Sequence, residues 1–223
     1  NYLKKNNMLP AICFIFSRKG VEQSANEIDS SLFDKDDTTP SIIYNECQSI
    51  LMKLPNYKEY INLPEYKNLI KILKKGIAIH HSGIMPIFRE MVEILFSKGY
   101  IKLLFATETF AVGINMPTKT VIFTSLNKFD GSYNRDLMSH EYTQMAGRAG
   151  RRGLDTVGHV IHLNNIFNMP TITDYKFMLS GKPQTLVSKF KIHYNLILNL
   201  INSKNNSQEE ISKQELDKII TNK

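Results

Sequence analysis

The sequence predicts an α/β fold in which a parallel sheet is sandwiched by helices, and three observations predict it. Five short apolar runs read as strands: AICFIF (11–16), GIAIHHSG (76–83), IKLLFAT (101–107), TVIFTS (120–125) and GHVIHL (158–163). They are apolar on both faces, as buried strands of a parallel sheet are, rather than alternating as half-exposed strands do. Helix-forming stretches lie between them, which is the connection that parallel pairing requires.

Each element has its own signal. The first strand follows Pro10, and Ser17 stands after it as an N-cap for a helix over 18–28 with Val21, Ala25 and Ile28 on one face. Asp and Thr residues with Pro40 then lead into two amphipathic stretches, 41–53 and 64–75, split by LPNYKEYINLP. Together they form a helical insertion over about 34–75. The second strand ends in a Gly turn, Pro86 opens a helix to about Lys98, and Gly99 stops it. A further helix is predicted over 139–147, between the fourth and fifth strands. From 172 the pattern is helical only, over 172–180, 186–202 and 208–221, with GKP (181–183) as the expected hinge. The stretch KFKIHYNLILNLI carries Phe190, Tyr194, Ile197, Leu198 and Ile201 at helical spacing, an apolar face that needs a partner.

The chain has 223 residues, 42% of them hydrophobic and 22% charged, which suits one globular domain with an appendage rather than disorder. The apolar runs are far shorter than the roughly 20 residues that span a bilayer, so a membrane role is not expected. The start, NYLKKNNMLP, has neither an initiator Met nor a signal-peptide core and reads as a cut from something longer. Cys13 and Cys47 lack zinc-site spacing and are too few for a disulfide framework, which points to a reducing compartment. A net charge of +7 suits a polyanionic partner, although Lys-rich bias accounts for much of it. The Arg residues are more selective: of six, Arg148, Arg151 and Arg152 share one five-residue window.

That window belongs to QMAGRAGRRG, Gln144 to Gly153. Two Arg three residues apart, each preceded by Gly, permit close backbone approach while two guanidinium forks face one oxyanion, and a fork that stays charged and binds two oxygens suits a phosphoryl group. No GxxxxGK[ST] phosphate loop and no DExH string accompany it, since GKP at 181 is followed by neither Ser nor Thr. A nucleotide cradle and its Mg²⁺ site therefore have to come from elsewhere.

The string fits the QxxGRxGR pattern of superfamily 2 helicases. FATETFAVGINMP (105–117) resembles the fifth helicase motif, FIFSRK (15–20) the fourth, and HHSG (80–83) the turn between them, in the family's order. HHSGIMPIFREMVEILFSKG, LFATETFAVGINMP and EYTQMAGRAGRRGLD are similar to the exosome-assisting DExH-box RNA helicases, over about residues 10–202. GSYNRDLMSHEYTQMAGRAGRRG and SGKPQTLVSKF look nearer to the cytoplasmic superkiller type than to the nuclear type, where Phe129 is usually Trp. The resemblance implies a RecA-like helicase C-terminal domain over 1–180, followed at 181–223 by the start of a winged-helix domain.

Carried over by position, the resemblance makes Arg148 and Arg151 arginine fingers on the γ-phosphate, with Gln144 ordering nucleotide and water and Gly113 and Asn115 coupling nucleotide to RNA. Thr107 would donate its hydroxyl or amide to a phosphate of the tracking strand, with Glu108 organising the loop. Ser17, Arg18, His81, Ser82 and Gly83 would make further contacts along that strand. ATP and Mg²⁺ would be held mainly by the first RecA-like lobe of the same protein, and single-stranded RNA and an exosome-associated complex would be the partners. Each residue also has a plainer reading: Thr107 ends a strand, Asn115 shapes a turn, Arg18 is a surface cation, and His80 faces the core, with no Cys or further His at metal-ligand spacing. Rival functions are a related DNA or spliceosomal helicase lobe, and a non-catalytic RNA- or protein-binding module.

Overall fold

The structure, a computed structural model, describes residues 2–111 and 116–181. All of these belong to one compact unit that reaches residue 184, and a second unit, 185–223, lies outside the described residues together with the expected helices at 186–202 and 208–221.

A short helix, α1 (Tyr2–Lys5), precedes the first strand, β1 (Ala11–Phe14). Ser17 caps α2 (Arg18–Asn26), its Oγ accepting from the Gly20 N–H at 3.0 Å. The insertion holds three helices rather than the two expected: α3 (Thr39–Leu51), α4 (Tyr57–Asn62) and α5 (Pro64–Leu73). Pro40 and Pro64 sit in the first turns of α3 and α5, where a missing N–H leaves no helical bond unmade. Next come β2 (Ile77–His80), α6 (Pro86–Ser97) and β3 (Leu103–Ala106), which a 3₁₀ turn, Glu108–Ala111, follows. The strand β4 (Thr120–Phe123) leads to a hairpin of β5 (Asn127–Phe129) and β6 (Asn134–Asp136), then α7 (Ser139–Ala146), β7 (His159–His162) and α8 (Ile172–Leu179).

Five strands form one sheet in the order β2-β3-β1-β4-β7, every pair parallel, as the apolar runs predict. The strands β1, β3 and β4 are buried along their whole length, which is why their sequences do not alternate. Ile12, Phe14, Leu104, Val121 and Phe123 fill the core with no exposed surface. Val21 and Ala25 of α2 pack into it, and α5 and α6 contribute Leu73, Met91 and Leu95. Cys13 and Cys47 are free and buried, and desolvation pushes both thiols up to about 12, so neither is a reactive thiolate at neutral pH. Among the described residues no helix is long and apolar enough to cross a membrane.

Candidate functional site

In β2, β3 and β1 the register pairs His80 with Ala106 and Ala106 with Phe14, so three neighbouring strands end level with one another. The residues that follow, 81–83, 107–108 and 15–18, therefore emerge side by side at the carboxyl edge, where open α/β sheets bind ligands. The Arg18 guanidinium donates to Ser82 Oγ at 2.9 Å across 64 positions of sequence, so these two predicted residues share one exposed patch. His81 does not project from it: the ring is 2% exposed, and Nδ1 accepts from the Gly83 N–H at 3.1 Å. Its Nε2 lies 3.1 Å from Glu22 without hydrogen-bond alignment. Burial lowers the His81 pKa, Glu22 partly opposes this, and the neutral ring braces the turn of residues 81–83 from beneath.

Thr107 is buried, and its N–H donates to the His80 carbonyl at 3.1 Å, which extends the sheet by one rung. That amide is engaged, so only the hydroxyl, 3.0 Å from Thr109 Oγ1, can turn to a ligand. His80 faces the core, as its plainer reading expects: Nε2 meets Glu93 of α6 at 2.7 Å and the ring packs edge-on against Phe110 at 4.8 Å. Glu108 stands 3.7 Å from Lys128 of the hairpin. The residues Gly113 and Asn115 lie outside the described residues. Among the described residues no three His, Cys, Asp or Glu side chains converge as a metal site.

The basic motif begins in α7. Exposed Gln144 occupies α7, and the chain then turns through Arg148 to Arg151 beside Thr118, the residue that leads into β4. The Thr118 N–H donates to the Arg148 carbonyl at 2.8 Å, and the Gly150 N–H to the Thr118 carbonyl at 2.6 Å. Gly158, just before β7, supports the same turn: a Cβ there would lie 2.6 Å from the Ala149 carbonyl. The backbone of the motif thus packs at the amino ends of β4 and β7.

The sequence leads one to expect two free forks facing one oxyanion, and the structure differs. Arg148 donates through Nη2 to the carbonyl of Ala111, at the end of the 3₁₀ turn. Arg151 lies against Asp155, its Nε donating to Oδ2 at 2.7 Å and its Nη2 to Oδ1 at 2.8 Å. This is an ion pair but not a buried one on the Arg side, whose side chain is 30% exposed against 4% for the carboxylate. Hydrogen bonds from Arg151 hold the Asp155 pKa down to about 2. The Nη1 group of Arg151 has no partner among the described residues, and Arg151 and Arg152 line a cleft of about 460 Å³ together with Ile101, Met116 and Leu154. What remains is one guanidinium held to the neighbouring loop and a second, on the wall of a cleft, that keeps three of its five N–H groups unpaired among the described residues.

Sequence reasoning missed the network at the start of α7. Glu141 takes Arg135 in both oxygens at 2.8 and 2.9 Å, Lys128 at 2.8 Å, and the Met138 N–H at 2.9 Å. Burial would raise its pKa, but the bonds from Arg135, Lys128 and the Met138 amide win and lower it to about 2. The signal available in sequence was Glu at the third helical position, where its side chain reaches back to the cap.

Residues 34–153 match the family described as the helicase conserved C-terminal domain. Over 202 residues the chain is 46% identical to the antiviral helicase SKI2 of Saccharomyces cerevisiae, covering 90% of this chain and 15% of that protein. It is 45% identical to mouse superkiller complex protein 2, covering 89% of this chain and 16% of the relative. To the human exosome RNA helicase MTR4 it is 43% identical, covering 89% of this chain and 19% of that protein. The chain therefore spans less than a fifth of the length of each of these relatives.

Proposed function

We propose, from the premise that this chain belongs to the helicase conserved C-terminal domain family, that it is the second motor lobe of an ATP-dependent, 3′ to 5′ RNA helicase that feeds RNA to the exosome. The observation that carries the reading is the Arg148–Arg151 turn. It holds two guanidinium groups on a fixed backbone, in a chain whose own sequence has no phosphate loop.

The residues fit a nucleotide held by another lobe. Three of the five Arg151 N–H groups remain after Asp155 has taken two, enough for one bidentate contact with phosphate oxygens. ATP with Mg²⁺, cradled mainly by a first RecA-like lobe, supplies the transferable γ-phosphoryl group. Arg148 and Arg151 stabilise the charge that develops there, a contribution of about 10³ to 10⁵ in rate in other phosphoryl-transfer enzymes. Gln144, exposed on the helix that ends at this turn, orders the nucleotide and the attacking water, and Gly113 and Asn115 link it to RNA. At the carboxyl edge, Ser17, Arg18, Ser82, Gly83, Thr107 and Glu108 grip single-stranded RNA, with His81 acting through the turn it braces. The isolated chain, having fingers and no cradle, hydrolyses no ATP.

The relatives support RNA over DNA and exosome-linked decay over splicing: one is named an exosome RNA helicase and another a superkiller complex protein. The superkiller-type segments favour a cytoplasmic site of action over a nuclear one. The test is Arg151→Ala in the full-length protein. RNA binding is expected to survive while RNA-stimulated ATP turnover collapses, and retained turnover would end the finger assignment.

A further inference from the structure

We infer that Asp155 is a positioning residue for the Arg151 finger: its carboxylate fixes the guanidinium so that the opposite edge is presented, ready oriented, to a phosphate. The inference rests on the proposed finger role of Arg151.

The geometry is specific. One carboxylate oxygen, Oδ2, accepts from both the backbone N–H of Arg151 at 3.0 Å and its Nε–H at 2.7 Å, while Oδ1 accepts from Nη2 at 2.8 Å. The side chain is thus tied at its tip to its own backbone, which restricts its otherwise free rotamers. The loop is closed again by the Asp155 N–H, which donates to the Arg151 carbonyl at 2.9 Å. Residues 151–155 form a turn and not a helix, so this is not the ordinary pair of a solvated helix face. The Asp155 side chain is 4% exposed, so water has little access to the carboxylate; Lys119 adds a weaker attraction from a distance, but all three short hydrogen bonds to the carboxylate come from Arg151.

The division of donors gives the contact its functional sense. Asp155 occupies the Nε–Nη2 edge of the guanidinium and leaves Nη1 without a partner among the described residues, on a side chain that lines a cleft together with Arg152. A long, flexible cation that must meet a phosphate across a lobe interface loses rate when it has to be ordered at the moment of reaction, and prior ordering removes that loss. The sequence segment RRGLD carries this Asp four positions after the Arg.

The test is a double-mutant cycle in the full-length protein, with Arg151→Ala, Asp155→Asn and the pair, reading kcat, the KM for ATP, RNA affinity and the unfolding temperature. Asn keeps an acceptor for the Arg151 amide but loses the charged fork. Asp155→Asn should lower kcat by about tenfold to a hundredfold with RNA affinity unchanged, and the double variant should match Arg151→Ala alone. Wild-type or faster turnover in Asp155→Asn, with Arg151→Ala inactive, overturns the inference while leaving the finger role intact. So does a loss that multiplies onto that of Arg151→Ala, which would mark Asp155 as merely structural. Retained turnover in Arg151→Ala removes the finger role itself. If Asp155→Asn does not fold, Asp155→Glu takes its place in the same cycle with the same expected non-additivity.

Discussion

Replacing Glu141 by Gln tests the network that anchors α7, the helix that carries Gln144 and ends at the arginine turn. Gln keeps the size and still accepts from the Met138 N–H, so the change isolates the charge. That charge faces Arg135 and Lys128, whose side chains are only 18% and 15% exposed. The carboxyl is held at about 2 against 4.5 ordinarily, a difference worth about 3 kcal/mol. Glu141 itself is 17% exposed, so screening trims the expected loss to about 2 kcal/mol. For a chain of this size that is a fall of roughly 4–8 °C in the unfolding midpoint. The sign of the pH dependence follows from the lowered pKa: the contribution is complete above the unfolded value and disappears as the carboxyl protonates. Thermal or urea unfolding of both proteins should therefore give a gap at pH 7 that shrinks by more than half near pH 3. A gap under about 0.5 kcal/mol at pH 7, or one indifferent to acid, would refute the view that Glu141 is an ion-pair hub rather than a surface carboxylate.

Burial lowers the pKa of His80, His81 and His162, so the folded chain keeps these rings neutral while the unfolded chain gains protons below about 6.5. Stability should accordingly fall as pH drops through that value, read as a lower urea midpoint at pH 5.5 than at pH 7.5 with an unchanged slope. Gly158→Ala would drive a methyl into the Ala149 carbonyl and the Gly150 amide, backbone atoms that cannot rotate away. It should destabilise the chain by about 1–3 kcal/mol and, in the full-length protein, depress ATP turnover, because the arginine turn must move. A variant of wild-type stability and turnover would mean that the turn has slack which its packing does not suggest.

Much of this molecule could be read from its residues because its central strands are buried on both faces and announce themselves as unbroken apolar runs. The hairpin of β5 and β6 gave no such signal: Asn127, Phe129, Asn134 and Asp136 are exposed, and no core face imposed an alternation on them. The helix α4 hid inside LPNYKEYINLP, where the prolines that punctuate it read as a break and not as the entry to α5. At the candidate site the motif itself was legible as a cluster of Gly and Arg. Its electrostatic state was not, because which oxygen each fork finds is settled by the return of the chain at Ala111 and Asp155. Likewise Gly158 reads as an ordinary residue before a strand until the fold brings Ala149 against it. Thr107 illustrates the converse, a residue singled out for a phosphate contact whose amide the sheet had already taken.

The most direct measurement is a structure of the full-length protein with RNA, Mg²⁺, ADP and aluminium fluoride in the place of the transferring phosphoryl group. The Nη atoms of Arg151, and those of Arg148 once released from Ala111, are expected within about 3.2 Å of the fluoride ligands. Both guanidinium groups turned away from the nucleotide, with the lobes closed around it, would contradict the account.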